Sequence, residues 1–512
     1  MRRYRQYTLI TLIIFISASS VWQANGQTDR AELYESLRRF NNIVNLVGKR
    51  YVQDVDPASL IDNALKAMLS SLDPYSVYMD KKAYDRLMVR TKGNYGGLGM
   101  LIGMVEGWVT VISPFEGTPA WKAGLKPGDR VTKIDGASTK GITVDEASNK
   151  MRGTPGTEVT ITIVREGVTE PIEYMLERAD IKIDPIPYHG ILDKNIGYIK
   201  LSNFSEDATI ELSKALKDLK KRGAHKFILD LRNNAGGLLS EAVKVADNFL
   251  DKNQLIVSTK GRLPYANKEF LAASKSKYGK YPLIVLVNRG SASASEIVAG
   301  AIQDWDKGLI LGDTTFGKGL VQTLIPFRDS TALKLTTARY YTPSGRCIDK
   351  TDTTQFLLRN PTLGGEYYTL GDLKREMRGA GSIIPDMILP SPEKIAPLVV
   401  KITAKGLFME YASKYVGEHQ DNEKDFEIQA KDLDDFKAFL ESKEFEFEED
   451  GFDEAKGAIS RMIKESVAEN LWGMRERNEL SLKYDPWVNE AMQILGTASS
   501  LSDLFALLEE SK

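Results

Sequence analysis

Between residues 196 and about 345 the chain alternates between two hydrophobic rhythms. Short apolar runs ("NIGYIKL", "KFILDL", "PLIVLV", "GLILG") take turns with stretches whose apolar residues recur at helical spacing. One such stripe falls at 239, 242, 243, 246, 249 and 250, and another at 294, 297, 298, 301, 302 and 305. Strands that are apolar throughout are buried on both faces, so they belong in a sheet with helices above and below it. The pattern predicts an α/β layer fold with βαβ units, with helices over Glu206–Arg222 and Leu239–Leu250 and a closing strand at "ALKLTTARYY". In such folds ligands bind at loops beyond the carboxyl ends of the strands. Three glycine-containing loops fall there: "RNNAGG", "NRGSA" and "DTTFGKG".

This core is flanked on both sides, because 512 residues are too many for one hydrophobic core. Residues 28–94 read as helical, with Leu33, Leu37, Phe40, Ile43, Val44 and Val47 on one stripe. A second helix there has Asp56 as N-cap, Pro57 at its first position and Asp73-Pro74 as its stop. Residues 95–178 change to β-rich runs ("GMLIGMV", "WVTVISP", "DRVTKIDG", "EVTITIVREG") with a short helix at "DEASNKMRG". The core then occupies 179–390. Residues 391–512 read as helical and charged, and their acidic run "ESKEFEFEEDGFDEAK" as a solvated helix face or loop.

Composition excludes several classes. A net charge of −2 gives no basic field for nucleic acid. One cysteine, Cys347, cannot form an internal disulfide, and His189, His225 and His419 have no metal-ligand spacing, so no metal and no cofactor are expected. The first 27 residues read as a secretory signal: Arg2, Arg3 and Arg5, an apolar run from Leu9 to Ile16, small residues after it, and cleavage near Gly26. The apolar run is short of the roughly 20 residues a spanning helix needs, and the competing reading is an uncleaved anchor. Either way the bulk of the chain is expected outside the inner membrane, in the periplasm.

The segment "NRGSASASEIVAG", residues 288–300, places Ser291, Ser293 and Ser295 at a strand-to-helix turn. One reading is structural: Ser293 and Glu296 fit a capping box. The other is chemical. A serine at such a turn stands among outward backbone N–H groups that suit an oxyanion. A serine nucleophile needs a base, and with histidine scarce the candidate is a lysine. To serve, its pKa must fall from about 10.4 toward 7–8 through burial. "DTTFGKGLVQ", residues 313–322, offers Lys318 between two glycines and beside Phe316, Leu320 and Val321, with Gln322 able to orient it. A phosphate-binding loop is a poorer match, since Ser or Thr does not follow Gly319.

Together "GSASASE" and "TFGKGLVQ" resemble the carboxyl-terminal processing peptidases, or tail-specific proteases, which are serine peptidases with a Ser–Lys dyad. In that family the middle serine is the nucleophile and the lysine lies 25 residues on. The resemblance therefore implies Ser293 as nucleophile, Lys318 as base and Gln322 as its assistant. "LDLRNNAGGL" resembles the family's "DLRxNxGG" loop and implies an oxyanion hole from the N–H groups of Gly237 and Ala294, with Ala235 standing where many relatives have proline. "YGGLGMLI" and "SPFEGTPAWKAGLKPGDRVTKIDG" resemble a PDZ domain. Gly97, Leu98 and Gly99 would then capture a terminal carboxylate, and Arg152 would link PDZ position to the active site.

The fold class expected is thus multidomain α/β: a peptidase core with crotonase-like βαβ units, an inserted PDZ domain over 95–178, and helical terminal regions. The function implied is a secreted serine endopeptidase cutting proteins with apolar C-termini, processing or degrading envelope proteins. Its partners would be those substrates, an adaptor lipoprotein and a second copy of the chain. Two alternatives are a non-catalytic PDZ peptide-binding protein on the same fold and a crotonase-like acyl-transferring or hydratase enzyme. The Ser–Lys pair and the PDZ segment argue against the last.

Overall fold

The computed structural model describes residues 30–350, 367–377, 381–391, 395–419 and 423–510, so the signal-like segment lies outside the described residues. Among the described residues two compact units emerge, one from residues 30–84 with 322–336 and the other from residues 85–321 with those between 337 and 510.

In the first unit, helix α1 covers residues 30–50 and α2 covers Pro57–Ser70. Asp56 caps α2 as the sequence predicts, accepting from the N–H groups of Ala58 and Ser59 at 3.1 and 3.2 Å. The region is not helical throughout. Asp73 accepts from the Tyr75 and Ser76 N–H groups and the Ser76 hydroxyl, each at 2.7 Å, and this tight turn releases the chain extended. It continues as strand β1 (Val77–Met79), paired antiparallel with residues 332–334.

After α3 (Lys81–Lys92) the second unit begins with a β-rich domain. Strand β2 (Asn94–Gly97) pairs with β9 (Ala179–Lys182), which brings the two ends of the domain together. Between them β3 (Met100–Val105), β4 (Trp108–Pro114), β5 (Arg130–Ile134), β7 (Glu158–Val164) and β8 (Ile172–Glu177) form a sheet in that order, with β6 (Ala137–Ser138) beside β5. Two helices, α4 (Pro119–Lys122) and α5 (Val144–Met151), pack on it; Thr143 and Glu146 form a capping box at the start of α5. Alternating inward residues, among them Val109, Val111, Val131, Ile161 and Ile163, make the core.

The layer predicted over 196–345 is a six-stranded sheet. It comprises β10 (Tyr188–Asp193), β11 (Ile196–Lys200), β12 (Lys226–Asp230), β15 (Leu283–Val287), β16 (Leu309–Gly312) and β21 (Met387–Ile388). All neighbours are parallel except β10 and β11. Helices α6 (Ala208–Lys221), α7 (Leu239–Ala246) and α8 (Ala294–Asp304) cover one face. Helix α7 ends at Ala246, short of Leu250, because the Asn248 amide turns back onto the carbonyls of Lys244 and Val245 at 3.0 and 3.3 Å. Strand β13 (Leu255–Lys260) pairs with β14 (Lys268–Leu271) and with the last residues of β18 (Ala332–Tyr341), which follows β17 (Leu320–Pro326). A small hairpin of β19 (Tyr367–Tyr368) and β20 (Glu376–Met377) comes next.

The C-terminal region is helical, as the sequence predicts, and it also carries a core of its own. Helices α9 (Pro397–Ala404), α10 (Leu407–Glu418), α11 (Ala430–Ser442) and α12 (Glu449–Trp472) enclose their own core around Phe408, Tyr411, Phe436 and Phe452. Within the acidic run, Phe445 and Phe452 point inward while the glutamates stay outside. Arg130 reaches Glu410 from the β-rich domain, and Lys443 reaches Glu166 at 2.9 Å and Glu410 at 3.1 Å, so an ion cluster joins this helical region to that domain. Beyond α13 (Met474–Lys483), helices α14 (Pro486–Thr497) and α15 (Leu501–Glu510) lie on the second face of the six-stranded sheet. There Trp487, Val488, Leu495 and Phe505 meet Ile228, Ile284, Leu286 and Leu311. Those strands read as continuously apolar because both faces are covered.

Candidate functional site

The three serines of the turn have different surroundings. Ser291 donates to the Leu231 carbonyl at 2.8 Å and accepts from the Asn288 N–H at 2.9 Å. Ser295 donates to the Asn234 carbonyl at 2.8 Å. Both are fully buried and spent on tying the serine turn to the "RNNAGG" loop. Ser293 sits between them at the head of α8 with φ 59° and ψ −111°, a left-handed backbone that a serine adopts only under constraint.

Glu296 supplies the constraint. Its carboxylate accepts from the Ser293 N–H at 2.8 Å, so this limb of the capping box is present. It reaches further than a cap requires. Oε1 accepts from the Thr315 hydroxyl at 2.6 Å and the Gly317 N–H at 2.7 Å, and Oε2 also accepts from the Lys318 N–H at 2.9 Å. One oxygen thus holds the main chains of Ser293 and Lys318, which brings the serine and lysine loops within two hydrogen-bond lengths. Glu296 is fully buried. Burial pushes its carboxyl above the usual range, against the pull of Thr315 and the three N–H groups. The Tyr340 hydroxyl donates to the Lys318 carbonyl, and burial raises that phenol well above its ordinary value. On the far side of the lysine loop, a Cβ on Gly317 would lie 2.1 Å from the Gly381 carbonyl, so only glycine lets the chain pass there. Gln322 belongs to the first unit; its Nε2 is buried without a hydrogen-bond partner.

The "RNNAGG" loop closes on the same turn. Asn234 donates to the Leu201 carbonyl at 2.8 Å and accepts from the Gly236 N–H at 2.9 Å, while its own carbonyl receives Ala292 N–H and Ser295. A Cβ on Gly236 would lie 2.7 Å from the Ala292 carbonyl, 2.9 Å from Ser293 Cβ and 3.0 Å from the Ala294 nitrogen. On Gly237 it would lie 2.4 Å from the Phe204 carbonyl. The loop and the head of α8 therefore touch through missing side chains. Among the described residues neither Gly237 N–H nor Ala294 N–H has a hydrogen-bond partner.

A second feature lies in the β-rich domain. Strand β3 is an edge of its sheet and faces α5 across a groove lined by Leu98, Met100, Ile102, Ser148 and Met151. Gly99, with φ +78°, closes one end; a Cβ there would lie 2.4 Å from Thr118. Arg152 ends α5 and lays its guanidinium over the Tyr95 ring, 4.8 Å from the centroid. A different arginine fastens that helix end: Arg178 donates to the carbonyls of Lys150 and Met151, both at 2.9 Å. Among the described residues no group of three or more His, Cys, Asp or Glu could hold a metal ion.

The comparisons with known proteins fit this geometry segment by segment. The model of peptidase family S41 matches residues 195–355, the PDZ domain model 110–165, the activating protease CtpB N-terminal domain 7–83, and the probable PDZ-protease C-terminal helical domain 398–451. A carboxy-terminal-processing protease of Bartonella bacilliformis is 42% identical over 376 residues, covering 72% of this chain and 86% of that protein. This chain belongs to the carboxy-terminal processing proteases. CtpA of Bacillus subtilis is 36% identical over 344 residues, covering 67% of this chain and 72% of its own length. CtpB of the same organism is 34% identical over 331 residues, covering 64% and 68%. The protein is thus a peptidase carrying a PDZ domain, the β-rich domain above.

Sequence reasoning missed three residues of this candidate site. Glu296 is read in the sequence only as a helix cap, Tyr340 only as part of a strand, and Gly236 only as a neighbour of Gly237. The signal for Glu296 was its place three residues after Ser293; nothing in the sequence marked Tyr340, whose reach to the site depends on long-range pairing.

Proposed function

We propose that the chain is a secreted serine endopeptidase that takes proteins by their apolar C-termini and cuts them with a Ser293–Lys318 dyad. Ser293 attacks the peptide carbonyl. Neutral Lys318 takes the hydroxyl proton and passes it to the leaving amine, with Gln322 orienting the amine. The N–H groups of Gly237 and Ala294 receive the oxyanion. In the PDZ domain the substrate tail adds as a strand to β3, its carboxylate in the Gly97-Leu98-Gly99 turn and its last side chain among Leu98, Met100 and Met151. Arg152, at the end of α5, is the residue through which a bound tail would signal. The observation that carries this reading is the Glu296 carboxylate, which holds the Ser293 and Lys318 main chains together.

The substrates would be envelope proteins, since the basic and apolar first residues read as an export signal. An adaptor lipoprotein or a second copy of the chain would find an apolar face on α1, where Leu33, Leu37, Phe40 and Ile43 are exposed. The test uses an unfolded protein with an apolar tail. Ser293→Ala and Lys318→Arg should both abolish cleavage, because arginine does not deprotonate, and wild-type activity should climb with pH. Amidating the substrate's terminal carboxylate should slow cutting. An active Lys318→Arg variant would rule out the base. Tail binding without any cleavage by the wild-type chain would favour a peptide-binding protein instead.

A further inference from the structure

The loop that offers the Gly237 N–H starts at Asp230, and its first side chains form a charged knot. Asp230 is fully buried at the end of β12. It accepts from the Tyr198 hydroxyl at 2.7 Å and pairs with Lys200 at 3.1 Å and Arg232 at 2.6 Å. Arg232 uses Nε and one terminal nitrogen on Asp230. Its other terminal nitrogen donates to Asp485 Oδ1 at 3.0 Å, and the terminal nitrogen on Asp230 also lies 2.8 Å from Asp485 Oδ2. Asp485 lies 253 residues away in sequence. It also caps α14 through the Trp487 and Val488 N–H groups at 3.0 and 3.2 Å. The Arg232 guanidinium stands 5.7 Å from the centroid of the Trp487 ring, whose indole N–H is fixed on the Pro390 carbonyl at 2.8 Å. At the far end of the same helix Lys226 donates to the Leu495 carbonyl at 2.7 Å.

We propose that Asp485 is a positioning residue for catalysis, holding the oxyanion loop through Arg232. The inference rests on the reading above that Gly237 supplies an oxyanion donor. A main-chain donor is effective only if it is already aimed when charge develops, so the stiffness of the loop is itself catalytic. Proline at 235 would fix φ, but this chain has Ala235, which leaves it free. Downstream, Asn233 adopts φ +60° and Asn234 is gripped by Leu201 and Ser295. Upstream, the loop is held by Arg232, whose carbonyl takes Lys200 at 2.8 Å and whose side chain is clamped between Asp230 and Asp485. A bidentate arginine between two carboxylates, 13% exposed, resists rotation in a way that a single surface pair does not. The C-terminal helices are thus more than a cover for the sheet: they complete the mount of the oxyanion loop.

The test is made in the full-length protein. Asp485→Asn and Asp485→Ser both keep a side chain able to cap α14 while removing the charge that holds Arg232. Each should lower kcat about tenfold, the loss expected for one weakened charge-assisted contact, with KM changed less than twofold. Binding of a peptide boronate, which mimics the tetrahedral adduct, should weaken by the same factor, while affinity of a tail peptide for the PDZ domain stays unchanged. Asp485→Glu should recover most of the rate. A kcat equal to wild type overturns the proposal. So does a loss of kcat matched by an equal loss of molecules labelled by an active-site fluorophosphonate, which would mean only unfolding. Failure of the underlying reading looks different: Ser293→Ala would stay active and the wild-type chain would not bind the boronate.

Discussion

The serine turn and the PDZ groove, both built around glycines, spend them in opposite ways. At the turn, Gly236, Gly237 and Gly317 let main chains press together, and Ser291, Ser295, Asn234 and Glu296 are consumed in bonds that hold them there. At the groove, Gly99 shapes a hollow whose walls are Leu98, Met100, Ile102 and Met151, and among the described residues the outer edge of β3 pairs with no strand. The first place fixes one geometry and the second leaves an open hollow. On the proposed reading the difference teaches where the chain should tolerate change: chemistry needs donors already aimed, whereas tail capture needs only a strand edge and an apolar wall.

Substitutions can break that contrast, beginning with the most severe. Asp230→Asn leaves Lys200 and Arg232 facing a buried neutral amide and should cost about 3–5 kcal/mol in urea unfolding at pH 7. Burial pushes Asp230 upward, but Lys200 and Arg232 outweigh it and hold the carboxyl well below its usual range. Its stabilisation is therefore present above the unfolded carboxylate pKa and is lost as pH falls. Wild type should lose more stability than the variant between pH 5 and 2.

Glu296→Gln should lower kcat roughly 10- to 100-fold, since an amide presents one acceptor oxygen to four donors. For this group the sign reverses. Its folded pKa is raised by burial, so whatever it contributes to stability is greatest below the unfolded pKa and declines as pH rises through the folded one. The variant should lack that decline, and thermal scans from pH 4 to 8 would reveal it. A variant with normal kcat would show that the two loops are held by other means.

Gly99→Ala should raise KM for a tailed substrate about tenfold by clashing with Thr118 at a positive φ, and leave cleavage of a tailless peptide unchanged. Equal effects on both substrates would mean that the groove does not serve binding alone. Glu166→Ala should have the least effect. Its pair with Lys443 is partly exposed, worth about 1 kcal/mol or less, and calorimetry should find the melting temperature nearly unchanged.

The sheet was legible because its strands are apolar without alternation, whereas the proposed pair of Ser293 and Lys318 could be singled out only through the family resemblance. What stayed hidden depended on long-range geometry. Strand β1 follows from hydrogen bonds made by Asp73, in a stretch whose composition suggests helix. The C-terminal helices read in the sequence only as helical and charged, and their place as a cover for the sheet shows only when α14 lies against Ile228 and Ile284. Glu296 was visible as a cap, but a local rule cannot foresee that the same carboxylate reaches residues 19 to 22 positions away.

Every residue of α8 from Ala294 to Asp304 is buried. A helix with no wet side cannot stand first and wait for its neighbours; it can persist only once strands to either side have assembled around it. The lysine loop and Tyr340 are made later in the chain than the serine turn. A growing polypeptide therefore carries the serine without its mount. On this view the protein needs no separate inhibitor while it is being made, because incompleteness keeps it harmless.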